Sequence, residues 1–371
     1  VTISEAAGAG NDTVQTSVNY TLSDYVETLE YTGTGDFTGT GSAQANTIIG
    51  GSGDDTLIGG AGADVLKGGE GSDTASYAGG AAVNVNLKTN VATSNDAAGD
   101  TFYSIENLTG SSWDDTFTSD GIANILNGSG GTDTVSYGSS KEAVQINLVT
   151  KVFTGDDAAG DTLISIEKIA GSDFNDTFTA NSTITFAGGK GDDTYIVGSA
   201  GVTISEAAGA GNDTVQTSVN YTLSDYVETL EYTGTGDFTG TGSAQANTII
   251  GGSGDDTLIG GAGADVLKGG EGSDTASYAG GAAVNVNLKT NVATSNDAAG
   301  DTFYSIENLT GSSWDDTFTS DGIANILNGS GGTDTVSYGS SKEAVQINLV
   351  TKVFTGDDAA GDTLISIEKI A

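Results

Sequence analysis

The 371-residue chain contains no cysteine, proline, histidine or methionine, and all 11 of its basic residues are lysines. Without cysteine, no disulfide holds the fold. Without cysteine and histidine, zinc sites of the usual ligand types, a cysteine nucleophile and a Ser–His–Asp triad are all excluded. No apolar run approaches the roughly 18 residues that a membrane-spanning helix needs, and no signal peptide is visible. Fifty acidic residues stand against the lysines, for a net charge of −39. That balance leaves no basic stripe to meet phosphates, so nucleic acid is not an expected partner. Gly-x-Gly strings abound, but none runs into a Lys-Ser or Lys-Thr pair, so phosphate binding is unsupported. Carboxylate pairs could serve as acid and base, but fifty acidic residues make chance pairs common. The expectation is a non-enzyme.

Fifty-eight glycines and a strict repetition fill the space left by these absences. Residues 1–170 recur letter for letter as 202–371, a period of 201. Each copy carries three contiguous nine-residue words of the form GGxGxDxUx, where U is large and apolar. They read GGSGDDTLI, GGAGADVLK and GGEGSDTAS at 50–58, 59–67 and 68–76, and again at 251–259, 260–268 and 269–277. A further word, GGKGDDTYI, lies at 188–196. Four words lack one glycine, at 7–15, 128–136, 208–216 and 329–337, and more worn ones lie at 110–118, 119–127 and 171–179.

Each word reads as six turn residues followed by a three-residue strand. The glycines permit the positive φ of a tight turn. In Thr56-Leu57-Ile58 the alternation sends Leu57 to one face and its neighbours to the other. Two words make one 18-residue coil of a parallel solenoid, with Leu57, Leu66 and Ala75 inside. At this spacing Asp55 lies over Asp73, and Asp64 stacks on Asn46 of the degenerate word GSAQANTII at 41–49. Stacked turns then gather carboxylates and uncovered carbonyls into an oxygen cage of the kind Ca²⁺ prefers. One isolated word is equally well an Asp/Gly-rich turn; three in strict succession are not.

These words resemble the hemolysin-type calcium-binding repeat of the RTX family, whose fold is the parallel β-roll. The resemblance implies an all-β fold, a parallel β-roll or β-helix solenoid with Ca²⁺ between stacked turns, interrupted by inserts. It implies ligands from the second- and fourth-position carbonyls and the sixth-position aspartate. In this chain those are Gly51, Gly53, Asp55; Gly60, Gly62, Asp64; Gly69, Gly71, Asp73; Gly189, Gly191, Asp193; Gly252, Gly254, Asp256; Gly261, Gly263, Asp265; and Gly270, Gly272, Asp274. The degenerate words add Asp12, Asp115, Asp133, Asp176, Asp213, Asp316 and Asp334. Trp113 and Phe174 replace a turn glycine, which predicts wider turns there. The fifth-position Asp54, Asp192 and Asp255 are expected to face solvent.

The remaining organisation follows the same period. Unit 1 spans 1–201, with a calcium block at 41–76, diverged sub-repeats at 68–118 and 128–179 and the junction word at 188–196; unit 2 spans 202–371. VTIS, TVQTSVNYTL and VETLEYTG within residues 1–40 read as strands. Val83, Val85, Leu87, Val144, Ile146 and Leu148 are expected to point inward. YSIENL and ISIEKI are candidates for a single helical turn. The loops around Asp96, Asp100, Asp157 and Asp161 read equally as extra calcium turns or as solvated loops. Tyr20, Tyr25, Tyr31 and Trp113 read as packing for the coil or its inserts, with a sugar-stacking surface as the alternative and cell-surface polysaccharide as its partner. A threonine array for ice binding is interrupted by Val65 and Ile125.

A chain this acidic repels itself when compact, and glycine loses much backbone entropy on ordering. Calcium offsets both, so metal-binding energy becomes folding energy. The functional expectation is a calcium-gated structural or adhesive repeat region of a secreted, cell-surface protein, able to self-associate through identical repeats. By the resemblance, export is type I and folding follows outside, where calcium modules bind at about 10⁻⁴–10⁻³ M. The alternative is an accessory module of an RTX exoenzyme such as a protease, lipase or epimerase. Both chain ends fall inside a repeat, which reads as a fragment of a longer array.

Overall fold

The computed structural model describes residues 3–371. Among them no α-helix forms, and the chain is built of short strands of two to six residues. Contacts divide it into two compact units, residues 1–178 with 183–190, and 179–182 with 191–371.

Within the first unit the chain winds as a parallel β-roll. Strands Thr13–Thr16, Thr28–Tyr31, Thr47–Ser52 and Val65–Glu70 pair side by side in one sheet. Strands Tyr20–Thr21, Thr38–Thr40, Thr56–Ile58 and Thr74–Ser76 pair in the other. The pairing is parallel in both, with Ile48 on Leu66 and Leu57 on Ala75, an offset of 18 residues. Register therefore stacks like on like. Leu29, Ile48, Leu66 and Phe102 form one interior column, and Gly39, Leu57, Ala75, Leu108 and Leu126 another. The apolar members of both columns are buried, each large one stabilising its coil by about 1.5–3 kcal/mol. The second unit repeats these registers, with Ile249 on Leu267 and Leu258 on Ala276.

One word departs from the motif at both of its defining positions. TGTGDFTGT at 32–40 carries Phe37 where the aspartate belongs and Gly39 where the large apolar residue belongs. The two substitutions compensate. Phe37 turns inward, 1% exposed, and fills the space above Gly39, where an added Cβ would meet its ring at 2.5 Å. Tyr31 stacks on it with ring centroids 4.5 Å apart.

The inserts are antiparallel hairpins. Asn84–Asn86 pairs with Val91–Ala92, and Gln145–Asn147 with Val152–Thr154. The turn residues Asn90 (φ 57°) and Lys151 (φ 59°) take the left-handed conformation that closes such loops. Val83, Val85, Leu87, Val144 and Ile146 are buried as expected, whereas Leu148 is only half-buried. Lys88, at the first hairpin's tip, bonds the Ser139 carbonyl and the buried Asp157 carboxylate, tying the two inserts together.

Several expectations are corrected. TVQTSVNYTL divides into Thr13–Thr16 and Tyr20–Thr21. Residues 1 and 2 of VTIS lie outside the described residues, and their counterpart in the second copy is the strand Val202–Ile204. YSIENL and ISIEKI contain no helical turn. Each bends at a left-handed serine, Ser104 (φ 48°) or Ser165 (φ 50°), and runs into the strand Asn107–Thr109 or Lys168–Ala170. Single 3₁₀ turns occur instead at Asn95–Ala97 and Asp156–Ala158. Tyr31 does pack the coil, but Trp113 is 61% and Tyr25 42% exposed.

Candidate metal centre

In the complete words all fourteen second- and fourth-position glycines have φ between 95° and 133°, a region closed to most side chains. Stacking also demands glycine. An ideal Cβ on Gly69 would stand 2.1 Å from the Gly51 carbonyl oxygen, and one on Gly71 would stand 2.1 Å from that of Gly53. Backbone oxygens of one turn thus face the bare α-carbons of the next.

Beneath each turn lies the sixth-position aspartate. Asp55, Asp64, Asp73, Asp193, Asp256, Asp265 and Asp274 are all at most 1% exposed. Their first oxygens form a ladder between coils. Phe37 N–H donates to Asp55 Oδ1 and Asp55 N–H to Asp73 Oδ1, each at 2.8 Å, while Asn46 N–H donates to Asp64 Oδ1 at 2.7 Å. Asp193 N–H likewise donates to Asp213 Oδ1 at 2.8 Å. The expected stacking of Asp55 with Asp73 and of Asp64 with Asn46 is thereby realised. Where the next coil lacks an aspartate, a glutamate continues the ladder. Asp73 N–H donates to Glu106, Asp133 N–H to Glu167 and Asp12 N–H to Glu27. Sequence reading missed these glutamates because they lie outside the nonapeptide frame.

The second oxygens behave differently. Oδ2 of Asp12, Asp55, Asp64, Asp73, Asp133, Asp213, Asp256, Asp265, Asp274 and Asp334 is buried with no hydrogen-bond partner. In the words that begin with glycine it points at that glycine, where an ideal Cβ on Gly50, Gly59 or Gly68 would meet it at 2.2–2.3 Å. A buried carboxylate oxygen without a donor is costly. Burial accordingly pushes the carboxyls upward: Asp64 and Asp265 to about 7, and Asp73, Asp133, Asp213 and Asp274 to about 6, against the ordinary 3.8. Neighbouring acids such as Asp100 beside Asp64 add to the rise, and the ladder N–H groups oppose it.

An oxygen-seeking cation fits this arrangement. Among the described residues no group of three acidic side chains converges as a metal cluster, so a cage here must draw on backbone carbonyls, which the glycine turns supply. Complete words stack directly on one another at 50–55 over 68–73 and at 251–256 over 269–274. The 59–64 turn sits instead between Asn46 and Asp100, through the Asn46 bond above and an Asp64 N–H bond to Asp100 Oδ1 at 2.8 Å.

In the worn words the aspartates expected as ligands, Asp115, Asp176 and Asp316, have hydrogen-bond donors of their own. The second-position serine donates N–H and Oγ–H to the aspartate, Ser111 to Asp115 with N–H at 2.7 Å, and Ser172 and Ser312 to Asp176 and Asp316 in the same way. These carboxylates thus differ from those of the complete words, whose second oxygen has no donor. Asp100 and Asp161 are not in solvated loops. Both are buried, and the hydroxyls of Tyr77 and Tyr137 donate to their Oδ2 at 2.9 and 3.1 Å. The fifth-position Asp54, Asp192 and Asp255 are exposed as expected. Asp54 also accepts the Ser72 N–H, forming an outer ladder.

A family model for the RTX calcium-binding nonapeptide repeat (4 copies) matches residues 40–75 and 241–276. An endo-1,3-1,4-beta-glycanase, ExsH, of Rhizobium meliloti (strain 1021) is 43% identical over 82 residues, which are 22% of this chain and 17% of that protein. The chain therefore spans under a fifth of the length of the curated relative it matches.

Proposed function

We propose that this RTX repeat protein, a calcium-binding β-roll, is the structural stalk of a secreted, cell-surface protein, and that calcium outside the cell switches it from unfolded to rigid. One observation carries the reading. The 170-residue duplication is perfect, and both copies bury the same partnerless carboxylates in the same register. A spacer is lengthened by whole units, whereas an active site gains nothing from duplication. Each coil touches mainly its neighbours, so rigidity adds coil by coil. With low calcium inside the cell the buried acids keep the chain unfolded, fit for export as an extended polypeptide of type I substrates. The chain's residues hold the ion: the Gly51, Gly53, Gly69 and Gly71 carbonyls with Asp55 and Asp73, and their counterparts in the second copy. Bound calcium supplies the positive charge that lets the carboxylates ionise while buried.

A second reading is favoured by the similarity to a glycanase: the repeats serve as the calcium-dependent accessory module of an exoenzyme. Electron microscopy of the purified chain in millimolar calcium, with a chelated control, separates the two. Fibres or sheets that appear only with calcium support the structural reading. Single particles at every concentration count against self-association and favour the accessory module.

A further inference from the structure

Calcium sites of this fold are expected between two glycine turns. Asp133 and Asp334 have only one each. Below Asp133 lies Asp115, already satisfied by Ser111. Above it lies the bend Ser165-Ile166-Glu167, outside the stretch that the family model matches. Yet Asp133 Oδ2 is buried without a partner, in a residue that is 0% exposed.

The bend completes an oxygen cage. Ser165 is left-handed, at φ 50°, and this turns its carbonyl toward the word below. An ideal Cβ on Gly128 would lie 2.2 Å from Asp133 Oδ2 and 2.3 Å from the Ser165 carbonyl oxygen. Two oxygens that near to one point are at most about 4.5 Å apart, within the span of one Ca²⁺ with 2.3–2.6 Å bonds. No hydrogen-bond donor reaches Oδ2. Glu167 stands beside it, locked by reciprocal bonds in which Asp133 N–H donates to its carboxylate at 2.9 Å and its own N–H donates to the Asp133 carbonyl at 3.2 Å. A carboxylate oxygen and a carbonyl thus converge with a second acid hydrogen-bonded next to them, and none of the ion pairs among the described residues involves either acid.

The arrangement recurs at each Ser-Ile-Glu bend. Ser104 (φ 48°), Ser305 (φ 50°) and Ser366 (φ 51°) are left-handed too. Their carbonyls and the partnerless Oδ2 of Asp73, Asp274 and Asp334 converge on Gly68, Gly269 and Gly329, with Cβ distances of 2.1–2.3 Å. We propose that the Ser-Ile-Glu bend replaces a glycine turn as half of a second kind of divalent-cation site, in which Ser165 O closes over Asp133 and Ser366 O over Asp334. At Asp73 and Asp274 the bend extends the paired-turn site by one layer. The inference rests on the calcium-binding reading but goes beyond it in where the ions sit.

Anomalous diffraction from crystals of the whole chain grown in calcium tests it. The expected map has a peak flanked by Asp133 Oδ2 and Ser165 O, and another flanked by Asp334 Oδ2 and Ser366 O. Peaks confined to the paired glycine turns would overturn the proposal and leave the calcium reading standing, whereas a map without any peak would overturn both. In solution, the double variant Asp133→Asn, Asp334→Asn keeps an Oδ1 acceptor for the ladder. By equilibrium dialysis it should bind two fewer ions per chain than the parent, and an unchanged count contradicts the proposal. Ser165→Gly, which retains the carbonyl and tolerates the left-handed φ, should leave the count as it was. If the double variant does not fold in calcium, the diffraction result on the unaltered chain decides.

Discussion

Removing calcium should make stability depend on pH in a direction opposite to that of ordinary acid denaturation. The perturbation is a chelator, followed by titration from pH 7.5 to 5. Burial raises Asp64 and Asp265 to about 7 and Asp73, Asp133, Asp213 and Asp274 to about 6. The folded metal-free chain therefore holds these protons more tightly than the unfolded chain, whose value is 3.8. Their contribution is fully present below pH 3.8 and is lost as pH rises through 6 to 7. At 1.36 kcal/mol per unit, each such aspartate opposes the metal-free fold by about 3–4 kcal/mol at pH 7.5. Acidification to pH 5 relieves about 1–3 kcal/mol of that per residue. Several acting together exceed the 5–15 kcal/mol on which a domain's stability rests. In far-ultraviolet circular dichroism the chelated chain should be coil-like at pH 7.5 and recover β-sheet signal near pH 5, still above its isoelectric point of about 4.1. With saturating calcium the signal at pH 7.5 should already be complete. A chelated chain as β-rich at pH 7.5 as at pH 5 refutes the reasoning, because the buried carboxylates would then not be what opposes folding.

Other perturbations separate the two classes of coil. Gly59→Ala places a Cβ 2.3 Å from Asp64 Oδ2; overpacking of about 1–3 kcal/mol should raise the calcium concentration needed for folding, read by circular dichroism. Asp55→Asn should reduce bound calcium in equilibrium dialysis, whereas Asp115→Asn, inside its serine ring, should leave the count unchanged. Tyr77→Phe removes the donor to buried Asp100 and should cost about 1–3 kcal/mol, lowering the melting temperature in calcium without changing the ion count. Leu66→Ala, at a position 0% exposed, should cost about 2–5 kcal/mol, with lost amide protection concentrated in the coils next to it.

Much of this was legible because the nonapeptide encodes geometry directly. Glycine at positions one, two and four is required by a carboxylate, a positive φ and a neighbouring carbonyl respectively, and the 18-residue offset follows from two words per coil. Leu57, Leu66, Asp55 and Asp73 were placed by that rule alone. The rule was silent where a different side chain performs the same task. Phe37 exchanges roles with Gly39, Ser111 donates to Asp115, Tyr77 caps Asp100, and Glu106 and Glu167 continue a ladder begun by aspartates. Phe37 and Ser111 act inside a word but with a residue type the motif does not list, whereas Tyr77, Glu106 and Glu167 act on residues 23 to 34 positions away that only the wound chain brings near. The hairpin at 84–92 was equally hidden. AVNVNL alternates as any strand does, and the antiparallel return depends on a left-handed asparagine that the alternation does not announce.

Amide hydrogen exchange read by mass spectrometry, at pH 7.5 with calcium and with a chelator, tests the central claim most directly. The account predicts strong protection with calcium in the strands flanking 50–73 and 251–274, and its collapse to coil-like exchange once calcium is removed. Equal protection of those strands in both conditions would contradict it, since the stacked turns would then hold without the ion.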